Sequence, residues 1–163
     1  MKKVGMCFLL VGLLALGAQQ GWSQGKKANL SLNLGVQTNL WPGTSFDFAY
    51  FSLDFRAGFP IGKSFEISPE LTALIDDSFD FSGVELDPGV MLNYNSGNFF
   101  VGLGAVLPIW LGDGSDVATP APKINIGYNI GKFKLTAYLL TWTDSGSGFL
   151  KYNYIGATLG YRF

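Results

Sequence analysis

The chain has 163 residues, 48% hydrophobic, 15% aromatic and 14% charged; 11 basic and 12 acidic side chains leave a net charge of -1, with one cysteine and no histidine. The length suits one domain, the apolar content excludes a disordered chain, and the near-balance of charge gives no basic footprint for nucleic acid. One cysteine makes neither an internal disulfide nor a multi-cysteine zinc site, and the missing histidine removes His-based catalysis and His-ligated metals.

Lys2 and Lys3 precede an apolar run over 4–18, and small residues follow at Gly21 and Ser23 before Gln24. This is the pattern of a secretory signal peptide, expected over 1–24 with cleavage between 18 and 24. The run of about 15 apolar residues falls short of the roughly 20 needed by a spanning helix. Cys7 lies inside the run, too early for lipid attachment, and leaves with it. Residues 25–163 then form the functional domain.

From there the chain alternates with a period of two, the signature of strands with one apolar face. Ala28, Leu30, Leu32, Leu34 and Val36 alternate with Asn29, Ser31, Asn33, Gly35 and Gln37. Phe51, Leu53, Phe55, Ala57 and Phe59 alternate with Ser52, Asp54, Arg56 and Gly58. Phe65, Ile67, Leu71 and Ala73 alternate with Glu66, Ser68, Glu70 and Thr72. Val84, Leu86, Val90, Leu92 and Tyr94 alternate with Glu85, Asp87, Gly89 and Asn93. Phe99, Val101, Leu103, Ala105 and Leu107 face away from a weaker set holding Gly102 and Gly104. Ile124, Ile126 and Tyr128 alternate with Lys123, Asn125, Gly127 and Asn129; Phe133, Leu135, Ala137 and Leu139 alternate with Lys134, Thr136 and Tyr138. In the last strand Ile155, Ala157, Leu159, Tyr161 and Phe163 alternate with Tyr154, Gly156, Thr158, Gly160 and Arg162.

The connections alternate too. Long ones lie around Trp41-Pro42-Gly43-Thr44, 76–83, 112–121 and 143–148. Tight turns lie at Ile61-Gly62-Lys63-Ser64, Asn95-Ser96-Gly97-Asn98 and Ile130-Gly131-Lys132, where Gly and Asn supply positive φ. Eight antiparallel strands joined in this way predict an all-β, up-and-down transmembrane barrel.

A soluble lipocalin-like barrel also alternates, with its apolar face inward. Three features point the apolar face outward here. Asp54, Arg56, Glu66, Glu70, Glu85, Asp87, Lys123, Lys134 and Arg162 all share the polar face, and the apolar face carries only Lys151. The strand glycines also take the polar face, which suits a crowded eight-stranded lumen. Finally, Phe59, Phe65, Tyr94, Phe99, Tyr128, Phe133, Tyr161 and Phe163 sit on the apolar face at the short-turn end, as an interfacial aromatic girdle would.

On these residues the chain resembles the small eight-stranded bacterial outer-membrane proteins, the type of the outer-membrane protein A transmembrane domain and outer-membrane protein X. In that family an aromatic final residue with another two before it, here Phe163 and Tyr161, is read by the barrel-assembly machinery. The fuller pattern has glycine five residues before the end, where this chain has Thr158. The resemblance implies a Gram-negative outer-membrane location, with membrane lipid and lipopolysaccharide as surroundings. A monomer is expected. Prolines interrupt the pattern: Pro69 and Pro88 fall on the apolar parity and Pro108 within the fifth strand, and local bulges are expected there.

No catalytic residue, cofactor or metal site is expected. Glu66 with Glu70, and Glu85 with Asp87, could form an acid–base pair. The competing and favoured reading is a lumen salt-bridge network with Arg56, Lys123, Lys134 and Arg162, since paired buried charges are far cheaper than lone ones. Counted from the short turns, Asp54, Glu70 and Lys123 lie at similar heights with Arg56 and Asp87 close by, and Glu66, Lys134 and Arg162 lie lower. Such a plug blocks water, and its rearrangement would give a narrow or gated porin-like channel with Arg56 or Lys123 as the switch. The long loops hold Asp47, Asp76, Asp77, Asp80, Asp113, Asp116 and Asp144 with no Lys or Arg, while Lys26, Lys27, Lys63 and Lys132 lie on the turn side. The expected role is structural or surface-interacting: envelope integrity, adhesion or ligand contact through acidic outer loops.

Overall fold

The structure is a computed structural model that describes residues 28–40, 48–76, 83–111, 118–144 and 147–163. The segment 1–24 and most of the long loops lie outside these residues. The alternating runs form nine strand segments among the described residues: β1 (Asn29–Asn39), β2 (Phe48–Ile61), β3 (Phe65–Asp76), β4 (Val84–Ser96), β5 (Phe99–Val106), β6 (Ile109–Leu111), β7 (Ala121–Ile130), β8 (Phe133–Asp144) and β9 (Ser147–Arg162). Both β5 and β6 pair with β4 in one register, so together they make a single stave interrupted at Leu107 and Pro108. The result is eight staves, most of them long enough for the 9 to 11 tilted residues that about 30 Å of hydrocarbon requires.

All pairings are antiparallel and run β3-β2-β1-β9-β8-β7-β5-β4, and a β3–β4 ladder closes the circle. The first and last staves meet directly, from Ser31 opposite Arg162 to Asn39 opposite Tyr154. Gly62, Gly97 and Gly131 turn the three short hairpins with φ of 65°, 61° and 58°, a conformation that side chains with a Cβ rarely adopt. Those rim turns are also tied sideways. Asn95 N–H donates to the Ser64 carbonyl, Asn129 N–H to that of Asn98, and Arg162 N–H to that of Lys132.

The distribution of side chains is inside-out relative to a soluble barrel. Leu34 and Leu103 on the outer wall are 64% and 63% exposed, whereas Asn33 and Asn93 on the inner wall are 0% exposed. A lipocalin-like reading requires the opposite, and this distribution overturns it. Eight staves enclose a lumen only wide enough for side chains to fill. Glycines make room for the larger ones. A Cβ at Gly156 would fall on the Tyr138 ring, one at Gly127 on Phe100, and one at Gly58 on the Glu66 carboxylate.

The bulges expected at the prolines are absent. The β3–β4 ladder keeps one register from Phe65 opposite Tyr94 to Leu74 opposite Glu85, straight through Pro69 and Pro88. An antiparallel residue sends its N–H to only one neighbouring strand, so a proline weakens one ladder and leaves the other whole. Pairing lapses between β2 and β3 beside Pro69, between Arg56–Glu70 and Phe59–Ile67, with the register unchanged. Pro88 still accepts the Leu107 N–H at 2.8 Å. Register does shift at Gln37/Thr38 and at Trp142/Asp144, both toward the long-loop end.

Candidate functional site

The inner face of β2 carries Asp54 and Arg56 two residues apart, and the β2–β3 register sets Arg56 opposite Glu70. Arg56 Nε donates to Asp54 Oδ2 at 2.6 Å and lies 3.1 Å from Glu70 Oε2. From β7 across the lumen, Lys123 Nζ reaches Glu70 Oε1 at 2.5 Å. The same ammonium sits 4.6 Å from the centroid of the Tyr138 ring. Tyr138 Oη in turn donates to Gln37 Oε1 on β1 at 3.0 Å. Two acids and two bases thus form a closed, neutral layer across the middle of the lumen, with Glu70 at its hub. All four are buried, so each charge depends on its partners rather than on water.

The nine polar-face charges are divided among several levels of the lumen. Staves set them at different heights, and only those at the middle level reach one another. Nearer the short turns, Glu66 accepts from Asn29 Nδ2 at 2.9 Å and from Ser68 Oγ at 2.8 Å. Lys134 Nζ lies 4.5 Å from the Phe100 ring centroid, and Arg162 donates through Nη2 to the Gly131 carbonyl. Toward the long loops, Glu85 and Asp87 are buried together on β4, with no cation at ion-pair distance among the described residues. Glu66 is therefore not partnered with Glu70: each is turned toward its own donors.

Several lumenal residues lie outside the group picked from the sequence. Tyr138, Phe100, Met91 and Leu140 are buried inside the barrel. Val106, Ala121 and Leu140 pack together on the long-loop side of the Lys123 layer, with Tyr154 against them. Parity along each strand is the signal that places these residues inward. Their apolar character hides them from a search for lumenal charge. Val106, Ala121 and Leu140 stop the lumen with hydrocarbon above the ionic layer, whereas Phe100 lies below it beside Lys134.

At the short-turn end the aromatics form a ring around the outside. Seven of its members, Phe65, Tyr94, Phe99, Tyr128, Phe133, Tyr161 and Phe163, are exposed, and Phe59 is half-buried. Phe65 meets Tyr94 at 5.4 Å between centroids, Phe133 meets Tyr161 at 5.8 Å, and Tyr161 meets Phe163 at 5.5 Å. Of the acidic loop residues, Asp76 is described with its side chain. Asp47, Asp77, Asp80, Asp113 and Asp116 lie outside the described residues, as do the side chains of Asp144 and Lys151. Among the described residues no three Cys, Asp or Glu side chains come together to hold a metal ion.

Neither a family model nor a curated protein matches this chain. Solved structures do. Neisserial surface protein A shares 12% identity over 83% of this chain and 95% of its own, with a TM-score of 0.54. Ail, the attachment invasion locus protein of Yersinia pestis, shares 15% identity over 83% of this chain and 97% of its own, with a TM-score of 0.42. The fold is that of a small eight-stranded outer-membrane barrel.

Proposed function

We propose that this chain is a non-enzymatic bacterial outer-membrane protein with a structural or surface-interacting role, its loops carrying acidic contacts to the outside. One observation carries the reading: a continuous apolar outer belt with an aromatic ring at one end surrounds a lumen filled by a neutral ionic layer and an apolar stopper. The belt needs lipid, and the filled lumen leaves the loops as the surface with which a partner makes contact. Likeness in fold to a protein named for the Neisserial surface supports the same role. The inner carboxylates of Asp54, Glu66 and Glu70 are held by hydrogen bonds or ion pairs, and the sequence offers no histidine as a general base near neutral pH.

The test is fractionation followed by a gel. The protein is expected in the outer-membrane fraction, to resist SDS at room temperature and to change mobility after boiling. A water-soluble monomer that needs no detergent refutes the reading. Deleting the acidic loops one at a time, scored for surface binding and for envelope integrity, then assigns the role to a loop.

A further inference from the structure

The ionic layer does not fill the barrel to its short-turn mouth. Below it lies a cavity of about 270 Å³, bordered by all the staves at that end. Its wall includes Arg56, Lys63, Lys134 and Arg162 but only one acid, Glu66. The charge of Arg56 is matched in the layer above by Asp54 and Glu70. That leaves three cations facing one carboxylate, and Glu66 is already held by two neutral donors, Asn29 and Ser68.

These cations lack acid partners. Among the described residues, no carboxylate lies at ion-pair distance from Lys63, Lys134 or Arg162. Lys134 is 7% exposed and rests on a ring face. Arg56 Nη1 and Arg162 Nε are buried with no acceptor. Buried donors without acceptors and buried cations without anions are both unfavourable. A ligand that brings several acceptor oxygens and negative charge relieves both at once. Arginine forks and lysine ammoniums suit a tetrahedral oxyanion, and charge-assisted bonds to it are the strong kind.

We propose that this vestibule is a binding site for a phosphate-bearing small anion. The cavity exceeds the size of phosphate itself, so a compact phosphoester fits as well as the free ion. The proposal needs the barrel only, and stands apart from the loop-borne role above.

The probe is inorganic phosphate, titrated calorimetrically into the purified protein refolded in a neutral maltoside detergent at constant ionic strength. Saturable one-to-one binding is expected. Lys134→Gln and Arg162→Gln should each weaken it about tenfold or more, the factor that one charge-assisted hydrogen bond commands. Lys63→Gln, on an exposed turn, keeps the test open if an inner variant fails to fold, and should weaken binding measurably. Lys132→Gln removes a rim charge outside the cavity and should leave binding unchanged. Gel mobility before and after boiling verifies that each variant is folded. No saturable binding, or equal weakening by Lys132→Gln and Lys63→Gln, overturns the proposal. Competition assigns the source: displacement by phosphatidylglycerol in nanodiscs identifies a lipid headgroup, while displacement by glycerol phosphate alone identifies a soluble phosphoester.

Discussion

Replacing Glu70 by glutamine keeps the shape of the side chain and removes the charge that joins Arg56 to Lys123. The native layer holds Asp54 and Glu70 against Arg56 and Lys123; the variant holds one acid against two buried cations. At the observed 2.5 and 3.1 Å, each contact is worth about 5 to 7 kcal/mol of attraction at an effective dielectric near 20, before desolvation is subtracted. Net losses on breaking one partner of a buried pair are about 3 to 5 kcal/mol. Urea unfolding in phospholipid vesicles, followed by gel mobility, should show the midpoint falling by about 1 to 5 M, given m-values of about 1 to 3 kcal/mol/M. Lys123→Met should do comparable damage by the opposite imbalance. Combined, the two substitutions leave Asp54 and Arg56 as a matched pair, so the double variant should be more stable than either single one. What remains is the lost contact of Lys123 with the Tyr138 ring, about 1 to 2 kcal/mol. If the two effects simply add, the layer is not a mutually compensated unit and the reasoning fails.

Other outcomes follow from the same wall. Gly156→Leu drives a side chain into the Tyr138 ring and should cost about 1 to 3 kcal/mol as overpacking; pairing it with Tyr138→Ala should recover much of that in the same urea assay. Leu103→Lys on the outer belt should cost about 2 to 4 kcal/mol in a bilayer, while Ile61→Lys at the rim should cost about 0 to 1. Equal costs at the two depths would contradict the lipid-facing assignment. Planar-bilayer recordings of the wild type should stay silent, because the ionic layer and the Val106, Ala121 and Leu140 cluster close the lumen. Defined unitary steps would instead establish the gated-channel alternative.

The wall of the barrel was legible because its physics is local. Alternation decides which way each side chain points, and glycine marks each tight turn. The partners within the lumen were only partly legible. Asp54, Arg56, Glu70 and Lys123 share a height that can be counted from the turns, and Glu66 falls lower, but the count does not name its partners. Its capture by Asn29 and Ser68 depends on which neutral amide stands across the next stave. The prolines misled for a definite reason. Composition says that a donor is missing, yet not which ladder loses it, and one unbonded position is milder than an inserted residue. Register shifts at Gln37 and Trp142 carry no compositional mark at all. The vestibule was hidden because Lys134 and Arg162 looked like members of a balanced network.

The ladder between β1 and β9 joins segments that stand at opposite ends of the described chain. Every partly assembled intermediate must therefore present two bare strand edges together with the apolar outer wall. Sealing that seam closes a loop that spans almost the entire described chain, which makes it the pairing with the largest closure entropy. Until that seam shuts, both edges stay open to pairing with other chains, so closure of the barrel competes with aggregation.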